Sequence, residues 1–176
     1  TRALLDEDIE IYKAAAKALG EIGDPSSVTL LVERLKKSGE PWHAGYALAK
    51  IGAPAVGALI ETIKTGNERA DYRRHAADAL TAVRDSRSVS PLIEALHDSD
   101  AYIRILAAET LGSIRDSRAI EPLIKTLQDN NENVSCSAAR SLAEIGDAWA
   151  VEPLVKVVKD KQRDAGTREA SAEALG

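Results

Sequence analysis

Residues 103–124 read IRILAAETLGSIRDSRAIEPLI, and this stretch decides the fold. Ile103, Ala107, Thr110 and Leu111 follow the i, i+4, i+7, i+8 spacing of one helix face. Ile120, Leu123, Ile124 and Leu127 then give a second stripe, at i, i+3, i+4 and i+7. A strand would alternate with period two, and neither segment does. Asp116 stands just before the second stripe, where a carboxylate can accept orphan backbone N–H groups. Pro122 falls near that helix's first turn, where a missing N–H costs least. The stretch therefore predicts helix, short turn, helix.

The same phrase returns along the chain. Its first-helix leucines are Leu19, Leu48, Leu80, Leu111, Leu142 and Leu175, mostly about 31 residues apart. A second marker keeps the step: Pro91-Leu92-Ile93, Pro122-Leu123-Ile124 and Pro153-Leu154-Val155. Asp24, Asp85, Asp116 and Asp147 precede the second helices, and Asp100 and Asn131 stand where first helices begin. The second-helix stripe recurs at Val28-Leu31-Val32-Leu35, Val56-Leu59-Ile60-Ile63, Val89-Leu92-Ile93-Leu96 and Val151-Leu154-Val155-Val158. Two markers in phase predict one repeat array over 1–176, with units near 7–38, 39–67, 68–98, 99–129 and 130–162 and a partial unit at 163–176. Leu4, Asp6, Asp8 and Ile11 match Leu96, Asp98, Asp100 and Ile103, so the first residues read as the last turn of a preceding second helix. Neither end carries a polar cap repeat, and the expectation is a segment of a longer array.

The composition agrees. Apolar residues are 44% of the chain, yet aromatics are 3% and Phe and Met are absent. Alanine-lined first helices can sit toward the short end of the ~8–10 Å helix-packing range, so bulky filling is not demanded. No apolar run approaches the ~20 residues of a membrane span. Cys136 is the single cysteine, which excludes a disulfide scaffold and fits a reducing, cytoplasmic setting. The net charge of −5 argues against a nucleic-acid partner, which asks for a basic face.

The order Ile103-Arg104, Ala107-Ala108, Leu111-Gly112, Ile114, Asp116, Arg118, Pro122-Leu123-Ile124 resembles the HEAT-like repeat of the phycobilisome (phycocyanobilin) lyase type. The resemblance covers essentially the whole chain. It implies an all-α, right-handed α-solenoid of two-helix repeats, with first helices convex and second helices lining the concave side. It also implies a hydrogen-bonded ladder between repeats, built from turn Asp and following Arg; Asp85-Arg87 and Asp116-Arg118 match it, and Trp149 breaks it.

Equivalent residues of a repeat stand in rows. One row is Ser26, Arg87, Arg118 and Trp149; a second is Thr29, Gly57, Ser90, Glu121 and Glu152; a third is Glu33, Glu61, Glu94, Lys125 and Lys156. The third row changes sign along the chain, which could orient a partner by charge. The plainer reading is that Glu121–Lys125 and Glu152–Lys156 are i, i+4 pairs on a solvated face, worth ~0.2–0.5 kcal/mol each. Arg87, Arg118, Trp149, Glu94, Lys125, Lys156, Glu121 and Glu152 are the candidate contact residues for a protein or peptide. Trp42, His43 and Tyr46 gather in an irregular unit with Gly45 and a shortened turn at Ala53-Pro54. They read as a pocket at a bend, or as packing that fills the space left by a short helix. The polar connection from Gly66 through Asp71 reads as loop.

No catalytic, metal or cofactor constellation is expected. His43 and His75 occupy equivalent first-helix positions ~8–10 Å apart, an awkward spacing for shared ligation, and His97 ends a second helix. The iron-binding His-Glu dipeptides of deoxyhypusine-hydroxylase-like relatives are absent, since Ala44, Ala76 and Asp98 follow the histidines. Cys136 has no nominated base. The reading that follows is a non-catalytic interaction scaffold. The alternative, carried by the resemblance, is a subunit or domain of a bilin-lyase-like enzyme.

Overall fold

The computed structural model describes residues 2–6, 8–37, 41–64 and 70–176. Among these residues there are helices and turns but no strand. After a single 3-10 turn at Arg2–Leu5, helices come in pairs: α1 (Ile9–Ile22) with α2 (Val28–Lys37), and α3 (Trp42–Ile51) with α4 (Val56–Lys64). Next are α5 (Ala70–Val83) with α6 (Val89–Ala95), and α7 (Ala101–Ile114) with α8 (Ile120–Thr126). Then come α9 (Glu132–Ile145) with α10 (Val151–Lys159), and a further first helix, α11 (Ala165–Glu173). Helix α5 already runs from Ala70, so the expected loop through Asp71 is too long by two residues; residues 66–69 lie outside the described ones, as do 38–40. Ala70 is a strong helix former and Asp71 suits a helix N-terminus, which explains the earlier start.

The chain divides into two compact units, Thr1–Asp85 and Ser86–Gly176. In the first, α1, α3 and α5 pack in succession, and α2 and α4 lie against α3 and α5. In the second, α7, α9 and α11 pack in succession, and α6, α8 and α10 each lie against the first helix that follows. The stripe predicted for α7 is buried throughout, as are Val134, Ala138, Ser141 and Leu142 at the same positions of α9 and the first, second and fourth positions of the second-helix stripes that begin in α2, α4, α6 and α8. Helix α10 departs from this: Val151 is 50% exposed and Val157 is buried instead.

First helices approach closely because a glycine permits it. A Cβ placed on Gly112 of α7 would stand 2.8 Å from the Ser141 Cα of α9, and one on Gly20 of α1 would stand 3.0 Å from the Ala47 Cα of α3. The alanine-rich seam thus brings backbone against side-chain stubs. Some of its polar members bond back to their own helix, as Thr110 Oγ1 does by donating to the Leu106 carbonyl at 2.6 Å, and others reach across it: Ser137 donates to Glu109 of α7 at 3.1 Å, and the Ser135 and Thr167 hydroxyls meet at 2.7 Å.

A 3-10 turn joins the two helices of each pair; an aspartate organises those at Asp24, Asp116 and Asp147, whereas Gly52 stands before the α3–α4 turn with no side-chain cap. Asp24, Asp116 and Asp147 accept the N–H groups of Ser26, Arg118 and Trp149 at 2.9–3.0 Å. Asp100 and Asn131 cap α7 and α9 in the same way, through Tyr102 N–H and Asn133 N–H. Four first helices end in a left-handed residue: Gly23 after α1 and Gly146 after α9 at φ 72°, but Arg84 after α5 and Arg115 after α7 at φ 51° and 59°. A side chain there is strained by roughly 1 kcal/mol. Arg115→Gly should therefore raise stability by about 0.5–1 kcal/mol, read as a higher urea midpoint for the full chain.

Guanidinium groups close the other end of the pairs. Arg73, Arg104 and Arg168 are each the fourth residue of a first helix. Arg73 Nε donates to the Ile63 carbonyl at 3.0 Å, and Arg168 Nε to the Val158 carbonyl at 3.2 Å. Arg104 donates to the Asp98 carbonyl at 2.7 Å and forks onto both Asp129 carboxylate oxygens at 2.9 and 3.0 Å. These cations satisfy orphan carbonyls at second-helix C-termini and suit the negative end of the dipole. Helix α9 has Ser135 in that slot, and Arg163 takes over, donating to the carbonyls of Leu127 and Asp129.

Candidate functional site

The residues of all three predicted rows are exposed. The first row is not on the second helices themselves. Ser26, Arg87, Arg118 and Trp149 sit inside the 3-10 turns, at the mouth of each pair. The Asp–Arg ladder that the resemblance implies is a fork within one turn at Asp116. Arg118 donates from Nε and a terminal nitrogen to the two Asp116 oxygens at 2.9 and 2.7 Å. Only one long bond, 3.5 Å to the Ser86 carbonyl, reaches the preceding turn. These Arg118 side-chain bonds, with the Arg118 N–H, hold the Asp116 carboxyl at about 2. An aspartate two residues before an arginine meets it more directly than one a whole repeat away, which is why the fork closes locally.

The i, i+4 pairs form as the spacing predicts. Glu121 meets Lys125 at 2.8 Å and Glu152 meets Lys156 at 2.9 Å, and all four side chains are largely in solvent. The hydrogen bond from each lysine lowers the partner glutamate's pKa. Exposed pairs of this kind contribute little to stability.

Trp149 is the residue in the rows that burial does not explain, since 81% of it is exposed. It is fixed by its backbone, through its own N–H on Asp147, rather than by packing. It forms one wall of a groove of about 440 Å³ whose other lining residues are Ser117, Ile120, Glu121, Ile124 and Asp147. The groove has an apolar floor from one face of α8 and an acidic rim. Of the candidate contact residues it brings together Trp149 and Glu121. Arg118 and Lys125 stand on the same turn and helix, each engaged with its own carboxylate. Arg87, Glu94, Glu152 and Lys156 do not line it.

The predicted bend residues separate. Trp42 and Tyr46, both about half exposed, line a second groove of about 220 Å³ between α3 and α5, with Gly45, Ala49, His75 and Asp78. His43 is not part of it. It stacks on Trp42 with ring centroids 3.4 Å apart and meets Tyr12 edge-on at 5.9 Å, while the Arg34 guanidinium covers Tyr12 at 4.3 Å. His43 is thus a packing residue that carries the exposed Trp42 on a buried aromatic stack.

Among the described residues, no group of three or more His, Cys, Asp or Glu side chains could hold a metal ion. Cys136 is half-buried, with its sulfur 3.9 Å from the Thr167 hydroxyl. Burial pushes its thiol up, so it stays protonated at neutral pH. Among the described residues, no single helix is long and apolar enough to cross a membrane.

The comparisons with known proteins agree with this geometry. The family model for HEAT repeats matches residues 89–176, and the model for the PBS lyase HEAT-like repeat matches residues 11–37 and 72–98. No curated protein sequence matches the chain. Among solved structures, the complex of CpcE and CpcF of phycocyanin lyase from Nostoc sp. PCC7120 is similar at 20% identity and a TM-score of 0.74, over 87% of this chain and 100% of that one. Human deoxyhypusine hydroxylase in complex with glycerol is similar at 20% identity and a TM-score of 0.61, over 99% and 81%. A designed armadillo repeat protein in complex with the peptide (KR)4 is similar at 18% identity and a TM-score of 0.56, over 99% and 97%. At these identities the likeness is one of fold: an all-α chain of stacked helix pairs, with neighbours among the repeat proteins.

Proposed function

The chain belongs to the HEAT-repeat family, and from that premise we propose that it is a non-catalytic scaffold that presents its second helices and their preceding turns to a protein or peptide. The observation that carries this reading is Trp149. A large amphipathic side chain, 81% exposed and held only by its backbone, is costly on a face with no partner and typical of a contact hot spot. The apolar floor of Ile120 and Ile124 lies beside it. The repeat neighbours support the class of partner, since one is a complex of two chains and another holds a peptide.

Selection of peptides from a displayed library on the purified chain tests the reading. Binders should emerge that lose at least tenfold in affinity on Trp149→Ala, about 1.4 kcal/mol, and keep it on Trp42→Ala. The same Trp149→Ala change should leave the urea midpoint unmoved, within about 0.5 kcal/mol, because so little of the side chain is packed. A binder set indifferent to Trp149 would remove the second-helix face from the proposal. The likeness to the lyase complex supplies the second reading, a bilin-lyase-like subunit. An absorbance shift when a linear tetrapyrrole is mixed with the chain would favour that reading over the scaffold.

A further inference from the structure

We propose that the groove beside Trp149 receives a cationic side chain, so that the partner segment is a basic peptide carrying arginine or lysine. This rests on the scaffold reading and makes it specific. The groove's lining holds two carboxylates, Glu121 and Asp147, and no basic residue. The two nearest cations do not cancel them equally. Arg118 is committed twice over to Asp116, which lies outside the groove. Lys125 is paired with Glu121, but both ends of that pair are more than two-thirds exposed, so it exchanges for another cation at little cost. Asp147 meanwhile is held in place by accepting the Trp149 N–H, which fixes a negative charge next to the indole.

The remaining walls suit the rest of such a side chain. Ile120 and Ile124 give an apolar bed for an aliphatic stem. Trp149 offers the best of the aromatic faces for a cation, and a guanidinium can both stack on it and reach a carboxylate. An acidic or neutral polar segment would gain none of this, and an acidic one would meet two like charges. Of the two grooves described, this one sets two carboxylates beside an exposed aromatic and an apolar floor. The groove at Trp42 and Tyr46 has a single carboxylate, Asp78, in its lining, with the imidazole of His75 beside it.

The test uses the full chain in a Trp42→Phe background, so that fluorescence reports Trp149. The probes are three short Gly-Ser peptides carrying two arginines, two citrullines or two glutamates. Citrulline keeps the shape of arginine and removes its charge. The arginine peptide should bind saturably, and the citrulline peptide at least tenfold more weakly. The double variant Glu121→Gln, Asp147→Asn should lose tenfold for arginine while keeping the turn, since asparagine also caps. Added salt should weaken the arginine peptide, as for any exposed charge contact. Equal binding of the arginine and citrulline peptides would overturn the inference. The cationic groove and the scaffold fail on different results. Library-selected peptides that need Trp149 but lack basic residues would sink the cationic groove and leave the scaffold. A library with no Trp149-dependent binder would sink both.

Discussion

Asp129→Ala should cost the Ser86–Gly176 unit about 3 kcal/mol. Asp129 and Arg104 are nearly buried, with side chains 14% and 15% exposed. The carboxylate accepts two bonds from Arg104 and one from the Asn131 N–H at 2.8 Å. Removing it leaves a guanidinium with half its partners inside a helix junction, which costs more than the pair itself contributes. Amide hydrogen exchange in α8 and α9 of the full chain reads the loss directly. Burial raises the Asp129 pKa, but the Arg104 side chain, the Asn131 N–H and the nearby Arg163 charge outweigh it and leave it lowered. A depressed carboxylate contributes stability above its unfolded value near 4, and that contribution fades as pH falls through the lower folded value. The gap between wild type and Asp129→Ala should therefore hold from neutral pH to about pH 4 and narrow below it. A gap that widened on acidification would contradict the assignment.

Gly112→Ala is the second large effect, and its sign is the informative part. In an open helix this change is favourable, by up to about 1 kcal/mol. Here the added Cβ meets Ser141 Cα at 2.8 Å and Ser141 Cβ at 2.7 Å, and neither can step aside without moving α9. The net expectation is a loss of about 2 kcal/mol, in the range of core overpacking. Gly57→Ala in α4 is the control, because a Cβ there meets nothing within 4 Å. It should gain about 0.5 kcal/mol. Chemical denaturation of the two variants should move the midpoint in opposite directions; movement in the same direction would mean that the first helices are not held at backbone contact.

Which parts of this were legible beforehand follows from the range of each interaction. The phase of Leu111, Leu123 and their equivalents is local, and it placed the helices. The capping roles of Asp116, Asp147, Asp100 and Asn131 are also local, a carboxylate or amide oxygen two residues from the N–H it receives. Arg104 and Arg163 were different. In the sequence Arg104 is only one member of a motif, yet it bonds Asp129 twenty-five residues on, and Arg163 serves a helix end thirty-six residues back. A signal existed, since Arg73, Arg104 and Arg168 share the fourth position of their helices, but its replacement by Arg163 where Ser135 intervenes is a matter of three-dimensional space. At the candidate site, Trp149 and Glu121 were named from their rows. Ile120, Ile124 and Asp147 read in the sequence only as stripe and cap, and the fold brings them together along one groove.

The scaffold account is tested most directly by mapping a library-selected peptide onto the full chain through amide chemical shifts. Perturbations should gather on Ser117, Glu121, Ile124 and Trp149 and be absent from Trp42, Tyr46 and His75. Perturbations confined to the first-helix side, around Trp42 and Tyr46, would contradict it.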